Sequence, residues 1–254
     1  MKRRVVCLMV VLMLAMPFGA LAHEFLIKPV KPVAEMGETL PFSVVSAHVF
    51  MVSEEMEPLS HVAVSCVAKG KKKAVKLSEN ETLMTLDGAV VVDEEGTSII
   101  AGHRQGMVWT QTTKGWKQAP KSECTGVLSS GKYEKFCKTL VAGTGSHAGY
   151  DQRVGHDLEI IPVEDPMASS GKTLTVKVLY KGKPISTQVF ATYDGYSRDA
   201  NTWDYVTTSD SRGLARIKVS QDGLWVVRVE KKDETATKEY DRHVMRAALV
   251  FGAS

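Results

Sequence analysis

"KTLTVKVLYKGKPISTQVFATYDG", residues 172–195, alternates apolar and polar side chains, breaks at Gly182, and alternates again. A period of two sets successive side chains on opposite faces of a strand. Within this stretch "VLYKGKPI" (178–185), alternating residues broken by a Gly turn, predicts a tight β-hairpin. The same rhythm continues outward in "DLEIIPVEDP" (157–166), "WDYVTTSDSRGLARIKVS" (203–220) and "GLWVVRVE" (223–230). Ser209 to Gly213 reads as a turn, and "RAALVFGAS" (246–254) as a last strand that closes the sheet. These spacings predict an antiparallel sandwich of about seven strands over residues 157–254, of the immunoglobulin or transthyretin kind.

Upstream, short apolar and β-branched runs also alternate with turn formers. "TLPFSVVSAHVFMV" (39–52) predicts one strand or a pair. "HVAVSCVAKGKKKAVKLSE" (61–79) reads as a hairpin with a basic, solvated tip. "GAVVVDEEGTSIIAGHRQGMVWTQTT" (88–113) reads as two strands around a Glu-Glu-Gly turn. "SSGKYEKFCKTLVA" (129–142) breaks the pattern. Tyr133, Phe136, Cys137 and Leu140 stand at helical spacing, with Lys132, Glu134, Lys135 and Lys138 between them, which predicts one amphipathic helix. "GTGSHAGYDQRVGH" (143–156) is rich in Gly and polar residues and reads as a linker. The expectation is all-β: a sandwich over 23–142 ending in a helix, a linker over 143–156, and a second sandwich over 157–254.

The first 22 residues have the three parts of a signal peptide. Lys2, Arg3 and Arg4 precede the uncharged run Val5–Met16, and Ala20-Leu21-Ala22 is a small-x-small cleavage site. Cleavage would leave 232 residues beginning at His23, in a periplasmic location. That product carries 29 basic and 29 acidic residues, a balance that argues against nucleic acid or an anionic membrane surface as partner. Of its three cysteines, Cys124 and Cys137 flank a short loop and are the expected disulfide pair in an oxidising compartment, while Cys66 reads as a buried thiol. No C-x-x-C, G-x-S-x-G, P-loop, G-x-G-x-x-G or H-E-x-x-H is present, and the chain is not expected to be an enzyme. The acidic loop "YDGYSRDANTWD" (193–204) lacks calcium-loop spacing and reads as a polar turn.

The chemistry gathers on histidines. As a first residue, His23 offers an α-amine and an imidazole from one position, two nitrogens already joined for a chelate ring. The ordinary pKa of an α-amine, about 7.7–8.0, lets a divalent metal displace its proton near neutrality. Such nitrogens suit nickel, cobalt, copper or zinc better than magnesium or calcium. His48 lies in "SAHVFMVSEEMEP" (46–58), where it interrupts an apolar strand among Met51, Met56, Glu54, Glu55 and Glu57. If the segment after His23 pairs with that strand, the two histidines meet. His103, before Met107 at an expected strand end, is a third candidate. The ligand candidates are therefore His23, His48, His103, Met51 and Glu54. His61, His147, His156 and His243 read as structural.

Several motifs together resemble a known family: "AHEFLIKP" (22–29), "PFSVVSAHVFMVSEEMEP" (41–58), "GMVWTQTTKGWK" (106–117), "GHDLEIIPVEDP" (155–166), "VLYKGKPI" (178–185), "ATYDG" (191–195), "GLWVVRVE" and "ALVF" (248–251). The chain is similar to the bacterial periplasmic family labelled as a nickel- or cobalt-uptake component or as a domain of unknown function. The resemblance implies a secreted two-part β-sandwich that handles a transition-metal ion and delivers it to a membrane transporter. His23 and His48 match positions where that family carries histidine. Two other readings remain open: an exported adhesion or carbohydrate-binding module using Trp109, Trp116, Trp203 or Trp225, and a copper protein with a histidine brace.

Overall fold

The computed structural model describes residues 23–254, so the expected signal peptide lies outside the described residues. Among these residues every extended element is a strand, and the only helical turns are three 3-10 turns of three residues each. None is long and apolar enough to cross a membrane.

Three sheets stack. The central one has ten strands, and along its main path run Tyr205–Thr208, Gln188–Tyr193, Gly223–Asp233, Arg242–Ala253, Val127–Gly143, Ser98–Thr112, Val62–Ala68 and Lys71–Val75. One face is covered by a sheet containing Glu24–Pro29, Thr39–Ala47 and Thr85–Val91. The other is covered by a sheet containing Leu158–Pro162, Thr173–Tyr180 and Leu214–Lys218. Each interface is a separate core. Phe25, Ile27, Phe42 and Val44 pack with Ile100, Cys137, Val226 and Val250. Leu158, Leu174, Val176 and Ile217 pack with Ile99, Phe136, Trp225 and Leu249. Gly102 admits the first covering layer closely: a Cβ there would sit 2.6 Å from Ile27 Cδ1 and 3.0 Å from Phe25 Cε1. The expected hairpin at 178–185 forms, Leu179 and Tyr180 pairing with Pro184 and Lys183 across Lys181 (φ 49°) and Gly182 (φ 75°), both in the left-handed region that a type I′ turn requires. The next strand, Gln188–Tyr193, joins the central sheet instead.

The central sheet does not break at the irregular segment 143–156. Val127–Gly143 pairs in parallel with Arg242–Ala253, from Gly131↔Arg242 to Thr139↔Val250. The two sandwiches therefore share their middle layer, and each core draws on residues from both sides of 143–156. The final strand does not close an edge. It lies in the interior of the sheet, between Gly223–Asp233 and Val127–Gly143.

The helix expected over 129–142 is instead part of the 17-residue strand Val127–Gly143. Both faces of this strand are covered, so burial is continuous from Phe136 to Gly143 and the half-exposed alternation that marks a strand is lost. Successive residues serve opposite cores: Phe136 and Leu140 one, Cys137 and Val141 the other. Two of the three lysines expected on the other helical face are buried, each against a carboxylate: Lys135 with Glu57 (2.9 Å) and Lys138 with Glu159 (3.1 Å).

The expected Cys124–Cys137 disulfide is absent, and Cys66, Cys124 and Cys137 are free thiols. The extended chain from Val127 to Cys137 spans roughly 30 Å, which carries Cys137 away from the loop that holds Cys124. Burial pushes the Cys137 thiol up to about 12 and also raises that of Cys66, so both are poor nucleophiles.

Candidate metal centre

Strand pairing builds the site. Glu24–Pro29 runs antiparallel to Thr39–Ala47, with Glu24 opposite Ala47, so the residues just beyond this register, His23 and His48, face each other. Their ring centroids are 3.9 Å apart. His48 does not interrupt the strand, as its apolar neighbours suggested, but follows its last residue, Ala47. The chain then turns back so that Ser46 bridges to Glu55, bringing the acidic segment under both rings.

Glu54 accepts the backbone N–H groups of His48 (2.8 Å) and Val49 (3.1 Å) on Oε1. Its Oε2 lies 2.8 Å from His48 Nδ1 and 3.5 Å from His23 Nε2. Burial would raise this carboxyl, but the His48 ring and the two backbone donors outweigh it and lower the pKa to about 2. Glu55 Oε1 meets His23 Nδ1 at 2.9 Å. Glu24 holds the strand start in place: its Oε1 accepts Arg228 Nε (3.0 Å) and Arg246 Nη1 (3.2 Å). One ligand atom each from His23, His48 and Glu54 lies within 4.8 Å of the others. Two imidazoles and a carboxylate fit a divalent ion of intermediate softness. An α-amine on His23 would close a chelate ring through Nδ1, the nitrogen that Glu55 meets.

Two candidates lie elsewhere. His103 is in the middle of Ser98–Thr112 rather than at a strand end, 2.7 Å from Glu134 Oε1 and stacked on Phe136 at 4.9 Å. Glu134 Oε2 meets His243 Nε2 at 2.8 Å. Burial opposes ionisation of Glu134, but the two histidines outweigh it and hold the carboxyl well below the usual range. Met51 is buried in the core with Phe25 and Val44, because its backbone turns into the left-handed region (φ 63°) and carries the side chain inward. Of the other histidines, His147 pairs with Asp165 (2.7 Å) and His156 is packed near Phe136.

The sequence reading gave Glu55 and Glu57 less weight than they carry. Glu57, 5% exposed, accepts Lys135 Nζ at 2.9 Å and lies 3.6 Å from Arg104 Nε. The only signal was three acids within four residues. Lys135, the partner of Glu57, was hidden by the helical reading of its strand.

Among solved structures, this chain is similar to the D0-D1 domain of intimin, with 14% identity, a TM-score of 0.23, and 89% of this chain and 96% of that chain covered. It is similar also to the Yersinia pseudotuberculosis adhesin InvE, with 10% identity, a TM-score of 0.27, and 91% and 61% covered. Murine CEACAM1b gives 10% identity, a TM-score of 0.23, and 91% and 100% covered. At these scores none of them bears on what this chain does. Among curated proteins there is no match. A family model described as a domain of unknown function, DUF4198, matches residues 20–233. A match over most of the sequence, beginning just before His23 and running through both covering sheets, makes this chain a member of the DUF4198 family.

Proposed function

We propose that this protein is exported, loses residues 1–22, and binds a divalent transition metal, nickel or cobalt first, for delivery to a membrane transporter. The observation that carries the reading is the meeting of His23, His48 and Glu54 within 4.8 Å. His23 supplies imidazole and, once the leader is removed, its amine. His48 supplies the second imidazole, and Glu54 is a carboxylate that stays ionised at any physiological pH, its pKa being lowered to about 2. Glu55 holds the His23 ring. Three residues with four donor atoms leave positions open on a six-coordinate ion, which suits a carrier that must give up its ion. Copper bound by the same ligands as a histidine brace is the nearest rival reading.

The test is calorimetric titration of the chain beginning at His23 with Ni²⁺, Co²⁺, Cu²⁺ and Zn²⁺. Binding near one ion per chain is expected. One alanine placed before His23, or the change His48→Ala, removes one donor and weakens binding by about a hundredfold, ~2.8 kcal/mol. His103→Ala leaves the affinity unchanged. Equal affinity with and without the added alanine removes the amine from the site.

A further inference from the structure

A cleft of about 240 Å³ adjoins His23, with Trp109, Trp116 and Tyr133 among its lining residues. Arg104, Lys135 and Glu57 also line it. The polar part is buried. Arg104 is 2% exposed, Lys135 5% and Glu57 5%, so two buried cations share one buried carboxylate. Lys135 Nζ donates to Glu57 at 2.9 Å. Arg104 Nη1 donates to the carbonyls of Gln105 and Tyr133, while its Nε has no hydrogen-bond partner among the described residues, Glu57 being 3.6 Å away. The other carboxylates nearby have partners of their own: Glu55 with His23, Glu134 with His103 and His243, and Glu24 with Arg228 and Arg246. A buried guanidinium with an unused donor is stabilised by an acceptor that completes its hydrogen bonds. Burial accordingly lowers the pKa of both Arg104 and Lys135.

The size of the cleft narrows the choice. Its volume is below the roughly 300–1,000 Å³ of sites for drug-sized ligands and suits a single ring. The aromatic side chains offer flat apolar faces to such a ring. We propose that this cleft binds a small organic carboxylate carried on one flat-faced ring, the ring against Trp109 and Trp116 and the carboxylate toward Arg104 and Lys135. An aromatic acid and a sugar acid share this chemistry. The site uses the cleft's own charges and does not need an ion on His23.

Two acids and their uncharged counterparts distinguish the cases: benzoate with benzamide, and galacturonate with galactose. Each is titrated into chelator-treated, metal-free protein, followed by tryptophan fluorescence and calorimetry. At least one acid is expected to saturate one site per chain, with its uncharged counterpart about tenfold or more weaker, the worth of one charge-assisted hydrogen bond. Saturation by benzoate identifies an aromatic acid as the source, and by galacturonate a sugar acid. Trp116 is exposed on the short strand Gly115–Lys117, so Trp116→Ala should keep the melting temperature and weaken the acid about tenfold. Arg104→Gln should remove the preference for acid over counterpart in protein whose melting shows it folded. If it does not fold, Trp116→Ala and the acid-to-counterpart ratio decide. Failure of both acids to bind, equal binding of acid and counterpart, or binding unaffected by Trp116→Ala overturns the proposal. Because the protein is metal-free throughout, failure of the metal reading leaves this outcome untouched.

Discussion

His156 shows what burial does to one base. Its ring lies 5.1 Å from that of Phe136, and burial, aided by the charges of Lys138, His103 and Lys72, lowers its pKa to about 3. In the unfolded chain an ordinary histidine titrates near 6.5. Between those values the unfolded state holds the extra proton, so stability falls as pH drops, by at most about 1.4 kcal/mol per pH unit. Melting temperatures from pH 7 to pH 4 should therefore fall, and His156→Phe, which keeps a ring beside Phe136, should make the fall shallower. An unchanged slope would assign the acid sensitivity to other groups. At this scale the meeting of His23 and His48 was legible, because it needs only the pairing of the two segments that carry them. The sequence was not legible where a residue's direction depends on the backbone: Met51 was a plausible thioether ligand until its turn carried it into the core.

The strand Val127–Gly143 carries two lysines into the interior, toward opposite layers. Lys138 Nζ donates to Glu159 Oε1 (3.1 Å) and to the Gln152 carbonyl (2.7 Å). Glu159 also accepts the N–H groups of Val154 (2.8 Å) and Gly155 (3.2 Å). Removing one partner of a buried pair strands the other, at about 3–5 kcal/mol. Lys138→Met and Glu159→Leu should both lower the urea midpoint, Glu159→Leu more, since it also orphans two backbone donors. Equal losses would mean that the two N–H groups find water. The spacing of Tyr133, Phe136, Cys137 and Leu140 satisfied a helical period because a strand covered on both faces has no polar side to mark its own period. The hairpins of 61–79 and 178–185, each with turn residues between alternating residues, were legible for the opposite reason. Sheet membership was not: the runs on either side of the Glu-Glu-Gly turn enter different sheets.

Across the whole molecule, the shared central sheet couples the two halves. The alternation and turns along the sequence indicate two sandwiches, and the structure has two cores, each drawing on residues from both sides of 143–156. Nothing in the local pattern shows that they have a layer in common, because the pairing of Val127–Gly143 with Arg242–Ala253 joins segments distant in sequence. Residues 23–156 expressed alone would leave Val127–Gly143 without its parallel neighbour. Such a fragment should show no cooperative thermal transition by circular dichroism, and residues 157–254 should behave alike, whereas the two together melt in one step. Two independent transitions in the full chain would separate the halves energetically.

The place of Arg242–Ala253 in the sheet also has a consequence for the order in which the protein is made. A chain synthesised from its N-terminus produces Val127–Gly143 about a hundred residues before the strand that must lie beside it. Until then, the middle of the sheet has an open side, and long-range pairing of this kind is slow. The nascent protein is thus kept from closing early, a condition that a polypeptide threaded through a narrow channel before it folds would share.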